Sequence, residues 1–204
     1  MRRHPDVPLW ICVGDLASRR GTYPEPLVPL YWIKGNNEDF DRVAAFAART
    51  ESVANLHYIA NGTAEQVGPL RVAGLGGTFA PTWFDTPAAE LPTRKSDDKR
   101  RHFVREEVEA GKRLQNVDIL MTHEAPHPFL IVEGARRPRN AGKTAINEML
   151  AALRPRLHLC GHHHRFVETT REGVPSVCID RVNRSYLLID ATTLEYEKID
   201  QLPS

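Results

Sequence analysis

Short apolar runs that each stop at a glycine or a polar cluster place the strongest limit on how this chain can fold. The runs span residues 9–13, 30–33, 70–73, 117–121, 157–159, 174–179 and 185–189. Runs of this length, bounded by turn-forming residues, are typical of buried β-strands rather than of helices. The chain is therefore predicted to build its core around β-sheet.

Amphipathic segments separate several of these runs. The predicted helices are residues 39–50, 99–114 and 144–154. Asp39 or Asp41 would favour the amino end of the first, and Pro155 would end the last. Residues 78–98, which are rich in proline, are expected to form a long loop outside the core. Strands that alternate with helices predict an α/β fold, a layered β-sandwich flanked by helices.

Length and composition narrow the class of protein. At 204 residues, with a formal net charge of +1, the chain is expected to be a single domain spanning residues 1–204. The near-zero charge excludes a polybasic character overall, so any phosphate recognition is expected to come from local groups. Three scattered cysteines (Cys12, Cys160 and Cys178) indicate buried thiols in a reducing compartment. No apolar stretch approaches ~20 residues, so we expect no membrane partner and a cytoplasmic location.

Metal-binding side chains follow four of the runs directly. Asp15, Asn36, His123 and the triplet 162–164 stand at these ends. In open α/β sheets, ligands gather at the carboxyl ends of the strands, and histidine nitrogens with a carboxylate suit zinc, manganese, iron or nickel. Taken singly, Asp15 is typical of a turn or a cap, Asn36 of a tight turn, and His123 of a buried hydrogen-bonded histidine. Together they predict a metal site.

The same four segments carry a family resemblance. They are Gly14-Asp15, Gly35-Asn36-Asn37-Glu38, Thr122-His123-Glu124 and Gly161-His162-His163-His164, in that order. This series resembles the motifs of the calcineurin-like metallophosphoesterase family. The resemblance implies a layered α/β metallophosphoesterase fold, one or two divalent metal ions (Mn, Fe, Zn or Ni), and hydrolysis of a phosphomonoester or phosphodiester by metal-activated water.

The resemblance also assigns roles to residues. Asp15 would be the carboxylate that bridges two metals, and Asn36, His123 and His162 would complete one metal site. His164 would belong to the other site, whereas His163, which would point the other way, is not assigned as a ligand. The catalytic residues implied are Asn37, nearest the scissile phosphate, and His123.

Three departures from the family pattern change the expectations. No D-x-H motif precedes Gly14, so the usual first strand and helix are expected to be missing, and either the chain is truncated or one metal site remains. Asn37 stands where the family has its catalytic histidine, and an amide is not a general acid. Ser18 stands where the family has the aspartate that orients that histidine.

A closer resemblance is to the lariat debranching enzyme branch, through residues 74–79 and the basic segment 100–105. It implies phosphodiester substrates, including nucleotides or nucleic acid. Arg136 and Arg139, in a basic loop after His123, are predicted to bind that substrate, and His127 on the same loop to supply the missing proton. The charged segment 94–105 itself is more typical of a solvated helix face.

Two other interpretations stay open. The chain is either a non-catalytic module that binds a metal or a phosphorylated ligand, or an incomplete piece of an active enzyme.

The segment Gly142-Lys143-Thr144 resembles the end of a phosphate-binding loop motif. It lacks the earlier glycine of that motif and instead predicts the start of a helix. The sequence does not predict the oligomeric state.

Overall fold

The computed structural model describes residues 4–18, 21–94, 96–129 and 142–200. In chain order the strands are β1 (Trp10–Cys12), β2 (Leu30–Trp32), β3 (Leu56–Tyr58), β4 (Thr63–Val67), β5 (Leu70–Leu75), β6 (Thr93–Arg94), β7 (Asp97–Asp98), β8 (Ile119–Thr122), β9 (Leu157–Cys160), β10 (Val167–Arg171), β11 (Val174–Cys178), β12 (Ser185–Ile189) and β13 (Tyr196–Asp200). The helices are α1 (Phe40–Ala47), α2 (Arg105–Lys112) and α3 (Thr144–Leu153), and 3-10 turns lie at Ala88–Glu90 and Lys99–Arg101.

Two sheets form the centre of the protein. The larger has the order β10-β11-β9-β8-β5-β4, with parallel pairing from β11 to β5 and antiparallel strands at both edges. The smaller sheet, β1-β2-β3, is parallel throughout. β12 and β13 form an antiparallel pair, as do β6 and β7. Parallel strands need crossover connections, which explains why helices cover the sheets.

Each face of the sheets buries its own apolar cluster. Strand alternation in β8 points Ile119 and Met121 towards the smaller sheet and Leu120 towards α2 and α3. α3 contributes Met149 to the same cluster as Leu120. α1 packs on the far face of the smaller sheet, where Trp32 is fully buried. The layers therefore run helix, sheet, sheet, helices, which confirms the predicted α/β sandwich.

Each of the seven apolar runs overlaps a strand, and two of the three helices match their predicted ranges closely. Asp39 is the amino cap of α1, accepting from the backbone N of Asp41 and Arg42, and the last residue before Pro155 is left-handed and ends α3. The predicted helix 99–114 is wrong in its first part. The Asp98 side chain caps a separate 3-10 turn, and extended backbone precedes α2.

The segment 78–98 is not simply outside the core. Phe84 packs with Phe103 in the cluster beneath α2 and α3, and Leu91 is also buried. The aromatic residues of this segment therefore hold it against the larger sheet.

Across the described ranges, no helix is long and apolar enough to cross a membrane. The single-domain interpretation remains a prediction.

His158, in the middle of β9, gives the fold a testable dependence on pH. It is fully buried, its Nε2 lies 2.8 Å from the Thr122 hydroxyl, and burial lowers its pKa to about 3. Between about pH 3 and about pH 6.5, the unfolded chain binds a proton at this residue that the native protein does not. We therefore expect the free energy of unfolding to fall as the pH is lowered through this window. His158→Gln should remove on the order of 1.4 kcal/mol per pH unit from that slope in urea titrations.

The matched control is His57→Gln, because His57 is exposed. It should leave the slope unchanged. An equal slope in wild type and His158→Gln would contradict the assignment.

Candidate functional site

The carboxyl ends of β1, β2, β8 and β9 meet at one edge of the sandwich. Asp15 and Asn36 come from the smaller sheet, and His123 and His162 from the larger. The His123 Nε2 atom lies 3.0 Å from Asn36 Oδ1 and 3.6 Å from Asp15 Oδ1, and the rings of His123 and His162 are 5.0 Å apart. The structure therefore brings together four of the residues that the sequence predicted to converge.

Asp15 ties the loop after β1 to the loop after β2. Its Oδ1 atom accepts hydrogen bonds from the backbone N of Asn36 and of Asn37, both at 2.9 Å, and its Oδ2 accepts from Asn37 Nδ2 at 3.0 Å. The residue has a φ of 56°, a left-handed conformation that aspartate tolerates better than most residues. Its carboxylate is therefore fixed in direction by backbone donors.

Two glycines allow this close approach. A Cβ atom on Gly35 would lie 2.0 Å from Asp15 Oδ1, and one on Gly14 would lie 2.6 Å from His123 Nδ1. Gly14 also has a φ of 102°, which other residues rarely adopt. Both glycines of the motifs are thus required by contacts across the site.

Glu38 holds the same two loops from the other side. Its carboxylate accepts from the backbone N of Leu16, Ala17 and Gly35 at 3.0 to 3.1 Å. Burial raises its pKa, although these donors oppose that shift. Glu38 lies within a motif but no local signal in the sequence gives it a role; the three backbone contacts show that it positions the loops.

His123 presents a lone pair to two oxygen atoms. Its side chain is almost fully buried, and its Nδ1 lies 2.7 Å from the Val13 carbonyl oxygen, which can only accept. Nδ1 therefore carries the proton. Burial lowers the pKa of His123, so the ring is neutral and Nε2 has a free lone pair. That lone pair faces Asp15 Oδ1 and Asn36 Oδ1 with no hydrogen between them.

Such a cluster of acceptors fits a cation. A neutral imidazole, a carboxylate and an amide oxygen are all ligands of divalent transition metals, and a hydrogen bond from the other ring nitrogen to a carbonyl is the usual way of orienting a metal-binding histidine. Within the described ranges, no group of three or more His, Cys, Asp and Glu side chains is arranged to hold a metal ion. The set therefore depends on the amide oxygen of Asn36.

His162 lies between this cluster and a buried carboxylate. Its Nε2 is 3.4 Å from Glu124 Oε1, and burial lowers its pKa to about 4. Glu124 is 3% exposed, and burial raises its pKa to about 6, although Lys143 Nζ approaches its Oε2 to 3.5 Å. Neither Glu124 nor Lys143 was predicted from the sequence to contribute to the site. Lys143 stands at the start of α3, as the helix-start interpretation predicted.

The other two histidines of the triplet lie differently. The ring of His163 packs 5.0 Å from that of Phe129, and its buried Nε2 has no hydrogen-bond partner in the described part of the chain. His164 is exposed, and its Nδ1 accepts a hydrogen bond from Arg181 Nη2 at 2.8 Å. The assignment of His164 to a second metal stays a prediction.

The structure describes the surroundings of some of the remaining predicted site residues but not of others. Asn37 is exposed and donates to Asp15, and its catalytic role stays a prediction. The backbone of His127 is held by the side chain of Asn147 through bonds of 2.6 and 2.7 Å. Arg136 and Arg139 lie outside the described residues.

Comparisons with known proteins identify the fold. The calcineurin-like phosphoesterase family profile matches residues 1–166. Two sheets lie between helices, and the fold is that of a metallophosphoesterase. The chain belongs to the calcineurin-like phosphoesterase family.

Solved structures share the fold at low sequence identity. One crystal structure superposes with a TM-score of 0.62 at 15% identity, over 85% of this chain and 66% of the other. The crystal structure of TT1561 of Thermus thermophilus gives 0.57 at 15% identity, over 85% and 72%. The chain thus spans slightly less than two thirds of the length of the first relative. No curated protein is significantly similar to it.

Gly35→Ala tests whether the two loops must touch. The new Cβ would overlap both Oδ1 and the backbone N of Asp15, so we expect a loss of about 3 kcal/mol in the free energy of unfolding, measured by urea denaturation. Gly173→Ala is the control, because its new Cβ would have no atom within 4 Å. The positive φ of Gly173 is then the only source of strain in this variant. Its cost should be about 1 kcal/mol. Equal losses in the two variants would show that the loops can separate.

Proposed function

We propose that this chain hydrolyses phosphate monoesters or diesters with a metal-activated water at the cluster of Asp15, Asn36 and His123. Its family consists of phosphoester hydrolases, and phosphate esters are accordingly its expected substrates. The observation that carries the proposal is the lone pair of His123 Nε2, which faces two oxygen acceptors at 3.0 and 3.6 Å. Three acceptors with no proton between them are stable together when a cation lies among them.

Asp15, Asn36 and His123 would hold that metal, and His162, whose ring centroid lies 5.0 Å from that of His123, would be the fourth ligand. Nitrogen and oxygen donors of this kind suit Mn, Fe, Zn or Ni. When bound, the metal supplies a nucleophilic hydroxide at neutral pH and neutralises charge on the phosphate oxygens. The role of the protein is to fix the ligands: Asp15 through two backbone donors, and His123 through the Val13 carbonyl.

Asn37 would bind the phosphate rather than protonate the leaving group. One of its amide N–H groups donates to Asp15, and the other remains for a substrate oxygen. Since an amide does not release a proton at neutral pH, the leaving group must depart unaided or take a proton from water or another residue. His127 is the candidate for that residue.

Finer aspects of the proposal rest on the sequence. The resemblance to the lariat debranching branch supports phosphodiester, nucleotide or nucleic-acid substrates, bound with the help of Arg136 and Arg139. The scattered cysteines support a cytoplasmic location. His164 would serve a second metal if one binds.

His123→Ala is the decisive test. Removing the imidazole should lower the bound manganese, measured by elemental analysis, and reduce kcat/KM for bis(p-nitrophenyl) phosphate by about 100-fold or more. His57→Ala, at an exposed histidine, should change neither quantity. Bound metal in wild type, with no turnover above the His123→Ala level, would favour the alternative of a non-catalytic binding module.

The leaving group gives a second test. Without a histidine at position 37, the rate should fall steeply as the pKa of the leaving alcohol rises, across a series of aryl phosphodiesters. The double variant Ser18→Asp with Asn37→His should flatten this dependence, since it supplies a proton donor and a partner for it. A shallow dependence in wild type that becomes steep in His127→Gln would instead identify His127 as the donor.

A further inference from the structure

A cavity of about 480 Å³ opens beside Asp15. Its walls include Ala17, Asn36, Asn37, Glu38, Phe40 and Arg101. Asn36 and Asn37 are the residues that would contact the metal and the phosphate, so the cavity continues directly from the proposed reaction centre. A volume of this size is that of a small-molecule site, larger than one phosphoryl group needs. The rest of the substrate therefore has a place to lie.

Arg101 differs from the two basic residues that precede it. Lys99 Nζ pairs with Asp97 at 2.7 Å, and the Arg100 guanidinium pairs with Asp98 at 2.6 Å and with Asp41 at 2.7 Å. Arg101 Nε donates only to the backbone carbonyl of Asp98, at 2.9 Å. Among the residues the structure describes, no carboxylate oxygen lies within 4.0 Å of its nitrogen atoms. Its charge is thus uncompensated by direct pairing.

The backbone that carries Arg101 is fixed. Its carbonyl accepts from the backbone N of Thr78 at 2.9 Å, and a Cβ on Gly77 would lie 2.5 Å from the same oxygen. The buried Lys34 Nζ donates to the carbonyls of Arg100 and His102 at 2.9 and 3.3 Å. Since Lys34 lies just beyond β2, the turn is attached to the same strand end that carries Asn36.

Among the residues that the structure describes, the acidic residue in the cavity wall, Glu38, makes its contacts with the backbone and is not paired with Arg101. Both oxygens of Glu38 accept from backbone N–H groups of the two site loops. The carboxylate of Asp15 is likewise occupied by Asn36 and Asn37. A half-buried guanidinium on a fixed backbone, next to a polar cavity, is suited to bind an anion through two parallel N–H bonds.

We propose that Arg101 binds a second phosphate, carried by the part of the substrate that occupies this cavity. The inference rests on the proposed function and narrows its substrate class. The preferred esters are those with a phosphate besides the one attacked, as in phosphorylated nucleotides. Esters that lack the second phosphate bind without the help of Arg101.

Adenosine 3′,5′-bisphosphate and AMP form a matched pair of probes, because they differ by one phosphate. Isothermal titration of the full chain in the presence of manganese should show about tenfold or more tighter binding of the bisphosphate. Arg101→Gln should reduce that ratio to about one and leave the affinity for AMP unchanged. Arg101→Lys should keep part of the ratio, because it retains the charge but not the planar fork.

Arg94→Gln is the control for net charge. Arg94 is an exposed residue of the same basic segment and does not line the cavity, so its loss should preserve the ratio. The proposal is overturned if the wild type shows no preference, or if Arg101→Gln weakens both probes equally or neither. The titration needs no turnover, so its result is separate from that of the hydrolysis assay. If the chain hydrolyses phosphate esters but binds the bisphosphate no more tightly than AMP, only the Arg101 proposal is contradicted. If it prefers the bisphosphate but hydrolyses no ester, only the proposed function is contradicted.

Discussion

The Asp15 carboxylate is the interaction on which the rest of the site depends. It accepts two backbone hydrogen bonds from the loop after β2 while it belongs to the loop after β1. The two loops come so close that Gly14 and Gly35 leave no room for a side chain. Backbone donors hold this carboxylate in one direction without an arginine partner. The orientation of the carboxylate is therefore set by the backbone.

A second set of contacts joins the two sheets at the same place. Asp15 and Asn36 extend from the smaller sheet, whereas His123 extends from the larger, and its Nδ1 donates to the Val13 carbonyl across the gap. The packing of apolar residues between the sheets, such as Ile33 and Met121, sets the separation of these strand ends. Close-packed interiors resist change in volume, so the core fixes the site as firmly as the hydrogen bonds do.

The sequence predicted this convergence because strand ends are a local signal. Four of the seven apolar runs stop just before a predicted ligand, and parallel strands bring such ends to one edge. Elements whose form depends on contacts with residues distant in the sequence were not predicted. β3 and β13 are short and carry polar residues, so nothing in their own sequence separates them from loops. The helix predicted over 99–114 was wrong in its first part, where a 3-10 turn capped by Asp98 and an extended segment precede α2. The shape of these segments depends on backbone contacts with Phe84 and Thr78.

Residues that support the site were harder still to predict. Glu38 and Glu124 stand beside the ligands in sequence, but their roles come from backbone donors and buried neighbours that only folding brings near.

Burial of the histidines would favour a metal over a proton at the proposed site. An exposed imidazole would begin to protonate near pH 6.5, and its lone pair would then be lost to any metal. Burial lowers the pKa of His123, and lowers that of His162 to about 4. Protons would therefore compete with a metal only in more acidic solution. Desolvation disfavours the charged imidazolium but not the neutral ring. A bound cation would interact favourably with both the lone pair of the neutral ring and the carboxylate of Asp15. The same hydrophobic packing that closes the sandwich thus keeps the nitrogen donors in the form that a metal requires.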